Sequence, residues 1–189
     1  MVPGLRKQIE EIKKVNEHTD GIQVFSGIEV DIRADGSLDL PHAILAELDI
    51  VIAAVHSAMN QNEEKMTQRV LSAVGNPDVD IIAHPTCRLL GEREPIAIDL
   101  EAVFRAAAKN NKIMEINAMP DRLDLNDVHA FRARELGVKL AIGTDAHDVS
   151  HLDFMRFGVG VARRAWCEPQ HILNTLPLAD ILTILNVSR

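Results

Sequence analysis

Five times along this chain an apolar run ends on a side chain able to hold a cation. Glu29 lies late in the run GIEVDI at 27–32, and His56 directly follows DIVIAAV at 49–55. His84 follows DIIA at 80–83 and precedes Pro85, while Glu115 and Asn117 close KIMEIN at 112–117. Asp145 and His147 follow VKLAIG as Thr144-Asp145-Ala146-His147. Imidazole and carboxylate together suit Zn²⁺, Mn²⁺ or Fe²⁺, whereas carboxylates alone favour Mg²⁺ or Ca²⁺. Two or three such ions held close together activate water and stabilise both oxygens of an in-line phosphoryl displacement, and a carboxylate such as Glu29 can bridge two of them.

Each residue also has an ordinary structural reading. A lone histidine after a strand is usually a loop residue bonded to backbone, Glu29 could be a solvated edge residue, and Asp145 could cap a helix. Recurrence at five run ends favours the metal reading for the set. His18, His42, His129 and His171 fall on predicted helices or their ends and are expected at the surface. His151 follows the last motif closely and is unassigned. Cys87 could be a soft ligand, but a buried or partly exposed thiol fits better.

The runs themselves are short and rich in Val and Ile, as strands buried on both faces would be. They predict strands at 23–32, 49–55, 79–83, 112–117 and 138–142. Amphipathic stretches at 5–16, 41–47, 63–74, 100–110, 126–136, 154–163, 168–173 and 177–186 predict helices. Asp99 and Asn126 look like N-caps, Gly75 and Gly137 stand at C-cap positions, and Pro177 suits a first helical turn. Alternation of strand and helix predicts an α/β fold with a parallel sheet or barrel. In such barrels functional side chains gather at the C-terminal strand ends. No repeat or linker interrupts residues 1–189, which are expected to form a single domain.

The chain has 189 residues and a net charge of −8, which argues against gripping nucleic acid by bulk electrostatics. That charge does not exclude a nuclease, because bound cations supply positive charge locally. No apolar run reaches the roughly 18 residues of a membrane helix, and the charged start lacks a signal-type apolar core. A cytoplasmic protein without membrane partners is expected, its two cysteines free thiols.

Taken in order, the segments GIEVDI, LDIVIAAVHS, DIIAHPT, EINAMPDRLDLND and GTDAH resemble the PHP family, the polymerase and histidinol phosphatase domain. The stretches RLLGERE at 88–94, RLDLND at 122–127 and MRFGVGVARRAW at 155–166 are most similar to the C-terminal PHP domain of bacterial and archaeal family X DNA polymerases. The resemblance implies a distorted seven-stranded TIM-like α/β barrel with up to three divalent ions. By that likeness Glu29 bridges two metals, His56 and His84 bind the second, Asp145 the first and His147 the third. It implies metal-dependent phosphoester hydrolysis, either as a 3′–5′ exonuclease acting on DNA 3′ ends or, in stand-alone relatives, as a phosphatase of the histidinol-phosphatase type.

Relative to the family pattern, the opening His-x-His motif, an Asp and a second strand ending in Asp-His have no counterpart here, and Cys87 replaces a usual glycine. The barrel is therefore expected to lack its first two strand–helix units and to hold fewer than three metals. Its open edge would be covered by self-association or by an upstream segment. A non-catalytic fragment with a structural or interaction role is the alternative outside the enzyme class. Arg88 and Arg122 are the candidates for phosphate contact, since arginine binds phosphate oxygens bidentately, with surface salt bridging as the competing reading. Asn60 and Asn117 are candidates for orienting substrate or ligands. No residue stands out as a general base.

Overall fold

The computed structural model describes residues 2–187; Met1, Ser188 and Arg189 lie outside the described residues. Five strands form one sheet: β1 (Gly27–Asp31), β2 (Ile50–Ala54), β3 (Ile81–Ile82), β4 (Ile113–Asn117) and β5 (Leu140–Gly143). They lie in sequence order and every pairing is parallel. Helices α1 (Val2–Glu17), α2 (His42–Leu45), α3 (Glu63–Val74), α4 (Leu100–Lys109), α5 (Asp127–Glu135), α6 (Met155–Arg164) and α7 (Leu178–Ile184) complete the α/β order. Among the described residues no strand pairs with the outer edge of β1, so the sheet is an open arc rather than a closed barrel. At the other edge Ile172 bridges Leu140, and the Asn174 amide exchanges hydrogen bonds with the Ile142 main chain at 2.7 and 3.0 Å.

Side-chain alternation divides the sheet into two faces. On one, Val30, Val51, Ala53, Ile82, Met114, Ile116, Leu140 and Ile142 enter the main core. That core also holds Met66 and Val70 of α3, Val103 and Phe104 of α4, Ala130 and Ala133 of α5, and Val161 of α6. Gly158 lets α6 close onto β5: a Cβ there would lie 2.4 Å from Ile142 Cγ2. On the opposite face the first halves of the strands present Ile50, Ile52, Ile81, Ile113 and Ala141, which pack under Leu173, Ile181, Ile184 and Leu185. Beyond that apolar half, the same face changes character. Glu29 is in register with Ile52 and Glu115 with Ala141, so Glu29, Asp31, Glu115, Asn117 and Gly143 line its C-terminal half.

Local chemistry explains most boundaries. Asn62, Asp99 and Asn126 accept N–H bonds from Lys65, Ala102 and His129, each capping a helix start. Gly137 follows α5 with φ +81, as a C-terminal glycine should. Some elements are shorter than predicted. The third strand keeps two residues because His84 leaves the extended region at φ +28, and 23–26 is irregular. Val149–Phe154 and Pro169–His171 are 3₁₀ turns, the first preceding α6. Pro177 caps α7 from outside, with ψ 147, instead of entering its first turn.

Candidate metal centre

Three side chains converge above the sheet. Glu29 projects from β1, His56 follows β2 by two residues, and His84 follows β3 by two. Glu29 Oε1 lies 2.9 Å from His56 Nε2 and 3.2 Å from His84 Nε2. The imidazole centroids are 5.3 Å apart, inclined at 64°. One donor atom from each residue lies within 4.8 Å of the others, and this is the single such group of three or more among the described residues. Hydrogen bonds to His56 and then His84 hold the Glu29 carboxyl far below the usual range, against the opposing effect of burial. The same bond from Glu29 raises the His56 pKa.

Both histidines are held from behind. The Asp31 carboxylate accepts the His56 N–H at 3.1 Å and lies 3.6 Å from its Nδ1. Arg69 of α3, 2% exposed, donates to the carbonyls of Ile32 and Ser57 and so ties the His56 loop to the end of β1. His84 is 1% exposed, and the Glu115 carboxylate accepts its N–H at 2.8 Å. Burial pushes the Glu115 carboxyl up to about 7. One residue beyond Pro85, the Thr86 N–H donates to the fully buried Asp124 at 2.9 Å.

These donors fit a divalent cation. His84 Nδ1 is buried without a hydrogen-bond partner, and its Nε2 meets only a carboxylate oxygen that His56 also approaches. Two imidazole nitrogens and one carboxylate oxygen make the three-protein-ligand set of an ion that keeps an open position. Cys87 does not join them. Its buried thiol donates to the Val55 carbonyl at 3.4 Å, and burial pushes its pKa up to about 12.

Asp145 and His147 stand outside the cluster. Asp145, at φ +51, accepts from Asn117 Nδ2 at 3.2 Å and lies 3.5 Å from Arg122 Nε. His147 is 76% exposed, its Nδ1 2.7 Å from the Asp145 carbonyl, and its N–H donates to His151 Nδ1 at 3.2 Å. Arg88 departs from the phosphate-contact expectation: its guanidinium donates to the carbonyls of Arg122 and Leu123, bracing that loop. Asn60 sits exposed on the turn before α3. His129 is half-buried rather than superficial, its Nδ1 without a partner, and burial lowers its pKa. Asp31 and Arg69 escaped sequence reasoning. Asp31 carried one signal, its same-face spacing from Glu29; an arginine inside an amphipathic helix carries none.

Comparison with known proteins identifies relatives of this chain. No family model matches the chain. It is 44% identical over 181 residues to the DNA polymerase/3′-5′ exonuclease PolX of Bacillus subtilis, covering 96% of this chain and 32% of that protein. It thus spans about a third of that relative's length. It is 34% identical over 175 residues to a probable phosphatase of Thermoanaerobacter sp. (strain X514), covering 87% of this chain and 69% of that one. The histidinol phosphate phosphatase of Lactococcus lactis, solved with zinc, L-histidinol and phosphate, superposes with a TM-score of 0.57 at 16% identity. That superposition covers 89% of this chain and 75% of the other, and it shows a shared fold. With a parallel α/β sheet, acid and imidazole side chains gathered at its strand ends, and a probable phosphatase and a DNA polymerase/3′-5′ exonuclease among its relatives, this chain belongs to the PHP family.

Proposed function

We propose that this domain is a divalent-metal phosphoester hydrolase of the DNA 3′-end-processing type, acting as a 3′–5′ exonuclease within a family X polymerase. The observation that carries the metal part is the convergence of Glu29, His56 and His84 from three separate strand ends. The polymerase part is supported by 44% identity across 96% of the chain to the Bacillus subtilis enzyme. Zn²⁺, Mn²⁺ and Fe²⁺ are the ions this mixed donor set suits. Held there, such an ion supplies Lewis acidity toward a phosphoryl oxygen and lowers the pKa of water.

The chain's own residues then have distinct tasks. Glu29, His56 and His84 hold the ion and are not general bases. Asp145 and His147 are proposed as ligands of neighbouring ions, as the family likeness implies. Asn117 donates to the Asp145 carboxylate, and the Arg122 guanidinium beside it is proposed to meet a phosphate oxygen. Asn60 is proposed to meet substrate at the rim. Among the described residues no helix is long and apolar enough to cross a membrane, and we place the reaction in the cytoplasm.

Release of mononucleotides from 3′-labelled single-stranded DNA in Mn²⁺ tests the reading, with p-nitrophenyl phosphate as the small-ester control. DNA degradation that Glu29→Gln abolishes is the expected result. Hydrolysis of the small ester alone would favour a small-molecule phosphatase. A specific observation supports that second reading: the chain is 34% identical to a probable phosphatase over 175 residues, and its net charge is −8. Metal binding without turnover of either substrate would indicate a structural or interaction module.

A further inference from the structure

Glu115 belongs to no ligand set, yet it is a carboxylate buried to 9% exposure beside one. Oxygen Oε2 accepts the His84 N–H at 2.8 Å, and Asn117 Nδ2 approaches the same oxygen at 3.4 Å. His84 sits at φ +28, a region a side chain with Cβ rarely adopts and which persists only where neighbours enforce it. The other oxygen lies against Gly143, where a Cβ would stand 2.2 Å from Oε1. Glycine at 143 therefore clears the slot the carboxylate occupies. An apolar side chain of this length would fill the same space without the cost of burying a charge, so the acceptor itself is what the position uses.

We propose that Glu115 is a positioning residue of the metal centre: by gripping the His84 main chain it aims that imidazole at Glu29 and His56 and sets the affinity for the ion. The inference rests on the metal reading of those three residues. Loss of a partner behind a metal ligand typically weakens binding about 10–100-fold.

Zinc affinity measured by calorimetry on the full chain tests this, with circular dichroism and urea midpoints recording the fold. Glu115→Met removes the acceptor at similar size and is expected to weaken Zn²⁺ binding about 10–100-fold. Glu115→Gln retains an acceptor oxygen and is expected to restore affinity to within about threefold of wild type, well short of that loss. Gly143→Ala changes neither carboxylate nor histidine but displaces Oε1, and is expected to weaken binding in the same direction. A folded Glu115→Met protein with wild-type affinity overturns the proposal, as does a lowered urea midpoint with affinity unmoved, the signature of a merely structural role. Should Glu115→Met not fold, Gly143→Ala decides, and wild-type affinity in that variant overturns the proposal. Failure of the metal reading looks different: the wild-type chain itself then gives no heat with Zn²⁺.

Discussion

Replacing His84 by alanine removes one of three donors and leaves Glu29 and His56 with an incomplete set. The consequence can be worked from linkage, because an ion that binds only the folded chain stabilises it by RT ln(1 + [L]/Kd). At a free-ion concentration of about 100 Kd this amounts to about 2.7 kcal/mol. In a chain of 189 residues, each kcal/mol moves Tm by about 2–4 °C. Wild type should therefore melt about 5–11 °C higher with the ion than without it. Losing a direct ligand weakens binding by at least about 100-fold, the upper end for losing even an outer partner. The same ion concentration then lies near Kd of the variant and adds only about 0.4 kcal/mol, roughly 1 °C. Differential scanning fluorimetry with and without Zn²⁺ or Mn²⁺ reads this directly, each protein compared with its own metal-free sample. His42→Ala is the control. Its imidazole pairs with Asp78 at 2.7 Å, ahead of the strands' N-terminal ends, and it should keep the full shift. Equal shifts in wild type and His84→Ala would refute the reasoning.

Other expectations follow from the same packing and electrostatics. Arg69→Ala should lower urea-derived stability by about 1.5–4.5 kcal/mol, since it strands the carbonyl of buried Ile32 at about 1–3 kcal/mol and removes the bond to the Ser57 carbonyl, worth about 0.5–1.5 kcal/mol; a loss under 0.5 kcal/mol contradicts the bracing role. Phe104→Ala, in the centre of the main core, should cost about 3–5 kcal/mol by the same assay. Thiol titration of the native protein at pH 8 should find Cys87 inert and any fast reaction at Cys167, because burial holds the Cys87 pKa at about 12; a Cys87→Ser variant that abolishes the fast phase would contradict this. Burial raises the Asp80 pKa in the folded chain, so its contribution to stability is present at low pH and is lost as pH rises through the folded value. Asp80→Asn should accordingly be more stable than wild type at pH 7 and lose that advantage in acid, read from urea midpoints across pH.

Much of this arrangement was legible in the chain because two simple patterns carry it. Short continuous runs rich in Val and Ile suit strands covered on both faces, and each of the five predicted runs overlaps a strand. A polar residue ending such a run must emerge at the sheet's C-terminal edge, which is how Glu29, His56 and His84 come together. What sequence could not carry was the partner of each group. Arg88 and Arg122 look alike on paper. The fold turns one guanidinium onto loop carbonyls and sets the other beside Asp145. Arg69 reads as an ordinary polar helix residue until the His56 loop folds over it. The third strand ends early where His84 turns to φ +28, its N–H donating to Glu115, 31 residues away. Periodicity does not encode contacts of that range, whereas Asn126 and Asp99 were readable because a cap bonds within three residues.

Anomalous diffraction at the zinc edge, from crystals grown with Zn²⁺, addresses the metal centre most directly. A peak is expected within coordination distance of Glu29 Oε1, His56 Nε2 and His84 Nε2 together. A peak confined to the His42–Asp78 pair, or none at a concentration where the protein is shown to bind zinc, would contradict it.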